Sequence, residues 1–435
     1  MIAAHQSHTR ANFPMWRVRP RFDMALAACL IGVLVGAAAC GEPPADDPLT
    51  AARCAVVGVL CTIAGTGEPA RGALGIDARR SALYLPMDVG VALQSDGSAQ
   101  IHVVDWNNHR VLRIDAAGRI VAFAGSGDPG GGVPGGAAEV AAIYHPTDVV
   151  FPIVDSDRAF IALWHDDAIG RIDADGQLSV ACGGEIGFSV DGTVAVGAAV
   201  HLPSKLALHP DGRLCFSEAG SQRVRCIDAE GRLVTILGPT AGQSCVGAAC
   251  DGVVLGPGFG GDGGPASGAR LALPAGNSAV PAGGLAFSAD GTLWLADALN
   301  HRVRRLGVDT AAGAAVVATI AGSGPAFGEG GVGDGAVGDG GPATAARLDH
   351  PSDVALGDDG SVYIADTEHD CVRRVDGAGV ITTVAGHCGQ RGDSGDGGPA
   401  TQALLNRPYG IAVGPGPRLY IADTHNHRVR ALTLP

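Results

Sequence analysis

Six near-copies of one pattern run through the chain, and no other feature limits its possible folds so strongly. The stretch VYIADTEHDCVRRVD (362–376) recurs as IHVVDWNNHRVLRID (101–115), FIALWHDDAIGRID (160–173), LCFSEAGSQRVRCID (214–228), LWLADALNHRVRRLG (293–307) and LYIADTHNHRVRAL (419–432). In each copy two alternating apolar runs flank a short polar knot, the period-2 signature of a hairpin with a buried face. An inner segment precedes every copy, starting at Leu85, His145, Leu202, Gly283, His350 and Arg407, and a strand ending in Gly follows most of them, as in IVAFAG, LVTILG and ITTVAG. Four short antiparallel strands that cannot bury their own faces, repeated in tandem, form the blades of a propeller. The 68 glycines and only 4% aromatic residues agree with short strands joined by many turns.

The sixth copy lacks its last strand, whereas Cys61-Thr62-Ile63-Ala64-Gly65 (CTIAG) stands before the first complete unit and matches ATIAG and TTVAG. The expected architecture is all-β: a six-bladed propeller of four-stranded antiparallel blades, its ring closed by the N-terminal strand completing the last blade. Ile63 to Leu434 then gives about 62 residues per blade, against ~40–50 in compact blade repeats, and the excess is assigned to loops.

The segments LYIADTHNHRVR, ITTVAG and GDGGPAT resemble bacterial NHL repeats, and the resemblance extends over residues 56–435. It implies a binding platform of the extracytoplasmic lipoprotein type with no reaction common to the family, so fold alone does not give function. It also implies a competing class, because the fold is shared with metal-dependent lactonases and with a lyase that cleaves hydroxyglycine peptides, both acting at the central channel.

Residues 1–40 read as an export signal. Arg17, Arg19 and Arg21 precede an apolar and small-residue run from Met24 to Ala39 that is short for a membrane span. The end, Ala37-Ala38-Ala39-Cys40, resembles a lipobox, which makes Cys40 the expected lipidation site, although Ala37 stands where Leu is usual; Met15 is a possible true start. Residues 41–55 read as a tether. Removing residues 1–40 deletes four arginines and one aspartate and takes the formal charge from −14 to −17. An acidic surface repels phosphate backbones, which argues against nucleic acid as a partner. A monomer at the bacterial cell envelope is expected.

Export makes disulfides admissible. Cys54 with Cys61 and Cys245 with Cys250 are the local pairs, and Cys215 with Cys226 lie on two arms of one hairpin; the alternative is that several serve as small buried apolar residues. The absence of CxxC leaves thiol redox chemistry and zinc knuckles without support.

Strand parity places the turn after each second strand and the crossover to the next blade on one face. Asp105, Asp297, Asp366 and Asp423, with Glu218, end the second strand of five blades and are expected to fix the following turn by accepting backbone N–H bonds. Arg110, Arg223, Arg302 and Arg428 are their expected partners. The GDGGPA crossovers offer Asp262, Asp339 and Asp396, with Asp334 and Asp393 nearby, as hard oxygens for calcium, but one carboxylate per loop favours a structural role; no cofactor is expected, with calcium the alternative. His109, His301, His369 and His427 are assigned one shared position. His145 and His350 precede inner-strand prolines near the channel and are weak metal candidates, short of the three ligands a zinc enzyme needs.

The second blade departs from the repeat. Leu163 stands at the carboxylate position and Ala168 at the Arg position, while Trp164, His165, Asp166 and Asp167 fill the turn, with Trp164 equivalent to Trp106 of the first blade. Two exposed tryptophans beside carboxylates would suit a sugar ring or a protein hot spot; the alternative is that each covers its own turn. The reading is therefore a non-enzymatic binding or scaffold propeller with a protein or glycan partner. The alternative is a metal-dependent channel enzyme, and a purely structural envelope component is a third. Missing serine elbows, phosphate-cradling loops and HExxH argue against common hydrolases and nucleotide binders.

Overall fold

The computed structural model describes residues 54–131, 135–152, 158–240, 257–276, 281–309, 314–324 and 337–435. The export signal, Cys40, most of the tether, Cys245, Cys250 and Asp334 lie outside these residues. The chain divides at Asp47–Pro48, and every described residue belongs to the C-terminal part.

Beyond residue 58 the described elements are strands and three-residue 3-10 turns. Six blades follow in chain order, each a meander of strands a to d from the axis outwards. The first blade holds Pro86–Leu93, Ala99–Asp105, Arg110–Ile114 and Ile120–Ala124; the fifth holds Pro351–Leu356, Val362–Asp366, Cys371–Val375 and Ile381–Ala385. Within a blade the pairing is antiparallel, as in Ile101↔Ile114 and Ile364↔Arg373. The sixth blade takes Pro408–Gly414, Arg418–Asp423 and Arg428–Thr433 from the C-terminus and Val59–Ala64 from the N-terminus, paired as Leu60↔Leu432. A disulfide from Cys61 to Cys54 secures the closing strand, Cys215 and Cys226 are bonded across the third-blade hairpin, and a third bond, Cys371–Cys388, was not expected. Cys182 is a buried free thiol. The second blade departs again, since Val196–Val200 adds a strand parallel to its outer strand, Gln177–Ile186.

The Gly closing each fourth strand has a definite cause. Gly65, Gly125, Gly183, Gly238, Gly322 and Gly386 all have φ between 81 and 97°, and a Cβ at Gly125 would lie 2.4 Å from the His109 carbonyl oxygen. Only glycine has both the left-handed freedom and the room.

The GDGGPA expectation is corrected by the path of the crossovers. Instead of staying on the turn face, each runs down the outer edge of the next blade to the start of its fourth strand: Gly340 N–H donates to the Ile381 carbonyl, and Pro265, Pro342 and Pro399 pair with Val316, Val380 and Val59. The chain descends there because strand d would otherwise leave an unpaired edge.

Candidate functional site

The turn after each second strand builds one face of the ring from three repeated devices. The first is a carboxylate that accepts a backbone N–H from the chain entering the inner strand: Asp105 from Tyr84 (2.7 Å), Glu218 from His201 (3.1 Å), Asp297 from Ala272 (2.8 Å), Asp366 from Asp349 (2.7 Å) and Asp423 from Asn406 (2.8 Å). In the second blade, where Leu163 has displaced the carboxylate, Asp166 performs this task from three residues later, accepting from Tyr144 at 3.0 Å. The donors lie at the inner-strand entrance and not within the following turn. Asn108, Asn300 and Asn426 also donate to the carboxylate of their own turn, and His369 faces Asp366 at 2.9 Å in the same place. His369 therefore aligns with those asparagines, which corrects its grouping with His109, His301 and His427.

The arginines also need correction. Arg110 and Arg223 reach their blade's carboxylate, at 2.8 and 2.7 Å. Arg302 and Arg428 instead bond the carbonyls of Ser323 and Thr66. In the last three blades the partner stands two residues later: fully buried Arg304, Arg373 and Arg430 bridge Asp297, Asp366 and Asp423 to the crossover aspartates Asp262, Asp339 and Asp396. Thr319, Thr383 and Thr62 bond the same crossover carboxylates. The oxygens proposed for calcium are thus engaged by guanidinium and threonine. Arg225 and Asp191 repeat the clamp in the third blade, whereas Leu112 and Gly170 stand at that position in the first two. Burial raises the Asp423 carboxyl to about 6 even though Arg430 pulls the other way.

The second device is a ring of bonds from blade to blade. The last turn residue, left-handed in every blade, accepts from the backbone N–H of the residue preceding the proline on the chain that leads into the next blade. His145 donates to His109 Nδ1, Leu202 to Asp167, Leu273 to Gln222, His350 to His301 Nδ1, Arg407 to Asp370, and Leu85 to His427 Nδ1, which closes the ring. Five of those donors, Leu85, His145, Leu202, His350 and Arg407, have φ of 48–53° immediately before proline, a conformation strained for such residues. The hydrogen bond from the preceding blade is what holds it. His145 and His350 are thus primarily junction residues.

The third device lies on the axis. Asp88, Asp148, Lys205 and Asp353 occupy one register position of the inner strands, two residues after a proline. Lys205 Nζ reaches Asp88 Oδ2 at 2.5 Å and Asp353 Oδ2 at 3.0 Å. These belong to the third, first and fifth blades, which can meet only at the centre. The two remaining positions are Gly284 and Gly410, where a Cβ would fall 1.9 Å from Asp353 Oδ1 and 2.3 Å from Asp88 Oδ1. Burial opposes the Lys205 charge, but Asp353, Asp88 and Asp148 outweigh it and hold its pKa above the usual lysine value. Burial and the Asp88 charge push Asp148 well up. A charged residue two positions after the proline of an otherwise apolar strand is the signal in the sequence for this cluster.

The expected binding set is only partly brought together. Trp164 is fully buried, packed with Leu202 and Ala219 of the third blade, so there is no exposed tryptophan pair. Asp166 accepts the Tyr144 N–H within its own blade, and Asp167 accepts the junction bond from Leu202. Trp106 and His165 remain partly exposed and converge on His145: Trp106 stacks on its ring at 4.4 Å, Tyr144 at 4.5 Å on another side, and His165 Nδ1 lies 2.6 Å from His145 Nδ1. Burial, then the neighbouring His109 and His165, lower the His145 pKa to about 3, so this shelf is uncharged at neutral pH. The corresponding junction between the fourth and fifth blades places His301, Asp349 and His350 together, with Asp349 where the first junction has Tyr144.

Family models match two segments: the teneurin NHL domain over residues 312–394 and the NHL repeat over residues 405–432. The chain is 25% identical over 284 residues to Protein SUPPRESSOR OF QUENCHING 1, chloroplastic, of Arabidopsis thaliana, covering 63% of this chain and 24% of that protein. It is 36% identical over 100 residues to Teneurin-4 of Homo sapiens, covering 20% of this chain and 4% of that one. The chain thus spans a quarter or less of the length of these relatives. A protein of unknown function from Bacteroides thetaiotaomicron superposes with a TM-score of 0.56 at 16% identity, covering 86% of this chain and 74% of that chain. An auxiliary nutrient binding protein from the same organism gives 0.55 at 14% identity, covering 86% and 75%. At such identities the likeness concerns the fold. The chain is thus a six-bladed β-propeller in which NHL family models match residues 312–394 and 405–432, within the last three blades.

Proposed function

We propose that this propeller is a non-enzymatic binding protein, exported and lipid-anchored through Cys40 at the cell envelope, which presents its turn face to a protein or glycan partner. The observation that carries this reading is the partly exposed shelf of Trp106, Tyr144, His145 and His165, uncharged rings of a kind that stack against sugars and apolar side chains. A binding role also suits a fold shared with auxiliary nutrient binding proteins. The three disulfides among the described residues suit an oxidising compartment. Among the described residues no helix is long and apolar enough to cross a membrane. The competing channel enzyme needs several ligands free to converge on a metal, whereas an ammonium paired with carboxylates occupies the axis here.

The test compares wild type with Trp106→Ala and His165→Ala on a glycan array, and compares chains with and without Trp106→Ala by photo-crosslinking from position 165 at the envelope. Loss of glycan signal or of a discrete crosslink in Trp106→Ala supports the shelf. Equal retention in all three proteins would remove it as the site. Trp164→Ala is the wrong probe, since it opens a core cavity costing about 3–5 kcal/mol.

A further inference from the structure

The junction between the fourth and fifth blades carries a feature that the binding reading does not use. His301 Nδ1 accepts the His350 N–H at 3.3 Å, as the corresponding side chain does at the other five junctions. The same nitrogen lies 3.2 Å from Asp349 Oδ1. An imidazole nitrogen has one lone pair, so a cation bound there takes the place of the weak 3.3 Å junction bond or of a ring proton shared with Asp349. His350 Nδ1 is 2.6 Å from the same oxygen, so two imidazoles and one carboxylate surround one small volume, with donor atoms all within 4.8 Å of one another.

We infer that His301, Asp349 and His350 form a site for a divalent transition metal of the zinc type. Two nitrogens and one carboxylate oxygen are the donor set of zinc sites that keep an open position, whereas calcium takes mostly oxygen. Bonds of about 2.0–2.1 Å in a tetrahedron put neighbouring donors roughly 3.3 Å apart. The His301–Asp349 separation of 3.2 Å is close to that value, and the Asp349–His350 separation of 2.6 Å has to open by well under 1 Å. The backbone is set in advance: Asp349 donates its N–H to Asp366 and accepts at its carbonyl from Glu368, and Pro351 follows His350. The half-exposed His350 and Asp349 side chains leave an entry path from the turn face. The molecule contains its own control, because His109 and His145 repeat the histidine pair with Tyr144 in place of the carboxylate. The inference does not depend on the proposed shelf, which lies at another junction.

The experiment is calorimetric titration of the chelator-treated full chain with zinc chloride, with metal content measured by mass spectrometry. Wild type is expected to take up zinc at a site that weakens at least about tenfold in Asp349→Asn and in His350→Ala and is unchanged in His145→Ala. Asp349→Asn keeps the side-chain shape and the backbone bond to Asp366, so it decides the matter if His350→Ala melts early. Wild type that binds no zinc, or an Asp349→Asn variant that titrates like wild type, would overturn the site; either result leaves the Trp106 shelf untouched.

Discussion

Lys205→Met tests whether the axial ammonium holds the ring together. The side chain keeps its length, but Asp88 and Asp353 lose a counter-charge at 2.5 and 3.0 Å, and Asp148 loses a third favourable interaction. All four groups are less than a tenth exposed, so solvent cannot substitute. Removing one partner of such a buried network costs about 3–5 kcal/mol. Unfolding entropy of about 2.1 cal/mol/K per residue over roughly 375 residues gives about 0.8 kcal/mol/K, so the melting temperature should fall by about 4–6 °C at pH 7.5. The pH dependence follows from the sign of the shifts. Asp148 and Asp353 are raised above their unfolded values, chiefly by burial. The stability such groups contribute is present at acid pH and lost as pH rises through the folded pKa. Without the ammonium the carboxyls rise further, so the variant's deficit should shrink between pH 7.5 and pH 5, and adding Asp88→Asn and Asp353→Asn should recover part of it. Circular-dichroism melts at the two pH values read both effects. An unchanged melt, or a deficit equal at pH 5 and pH 7.5, would refute an axial charge network as a source of stability.

Two further outcomes are expected. Arg373→Leu should destabilise by about 3–5 kcal/mol, because Asp366 is fully buried beside it, and Asp366→Asn in the same chain should restore part of the loss; denaturant midpoints of the single and double variants give the coupling. Because burial and the rings of His109 and His165 lower the His145 pKa to about 3, the unfolded chain binds the proton first, and stability is lost as pH falls from about 6.5. The groups facing His145 are His109, His165, Tyr144 and Trp106. A His145→Phe variant should therefore lose less melting temperature than wild type between pH 6.5 and 4.5, and parallel curves for the two would contradict the assignment.

Blade number, strand limits and the closing strand were legible because each rests on local alternation repeated six times. The Cys215–Cys226 bond was legible for the same reason, since both residues stand opposite each other in one hairpin. Cys371–Cys388 was not, because strand c meets the following crossover only after the blade forms. The same limit affected the tryptophans. Alignment correctly made Trp106 and Trp164 equivalent, but the neighbouring blade decides exposure: His145 stacks against Trp106 and leaves it partly open, whereas Leu202 and Ala219 help to bury Trp164. The clamp arginines stood two residues beyond the expected ones, and their crossover partners became visible only when the loop was seen to descend the blade edge.

By itself, then, the sequence determined the repeating unit, the number of units and the closure of the ring, because strand period, turn chemistry and the required glycines act over a few residues. The tertiary structure alone decided which groups face one another across blades: Lys205 against residues 117 and 148 positions away, each turn residue against the next blade's entrance, and His301 against Asp349 and His350. Those contacts depend on the radius and register of the assembled ring, and no local pattern in the chain encodes either.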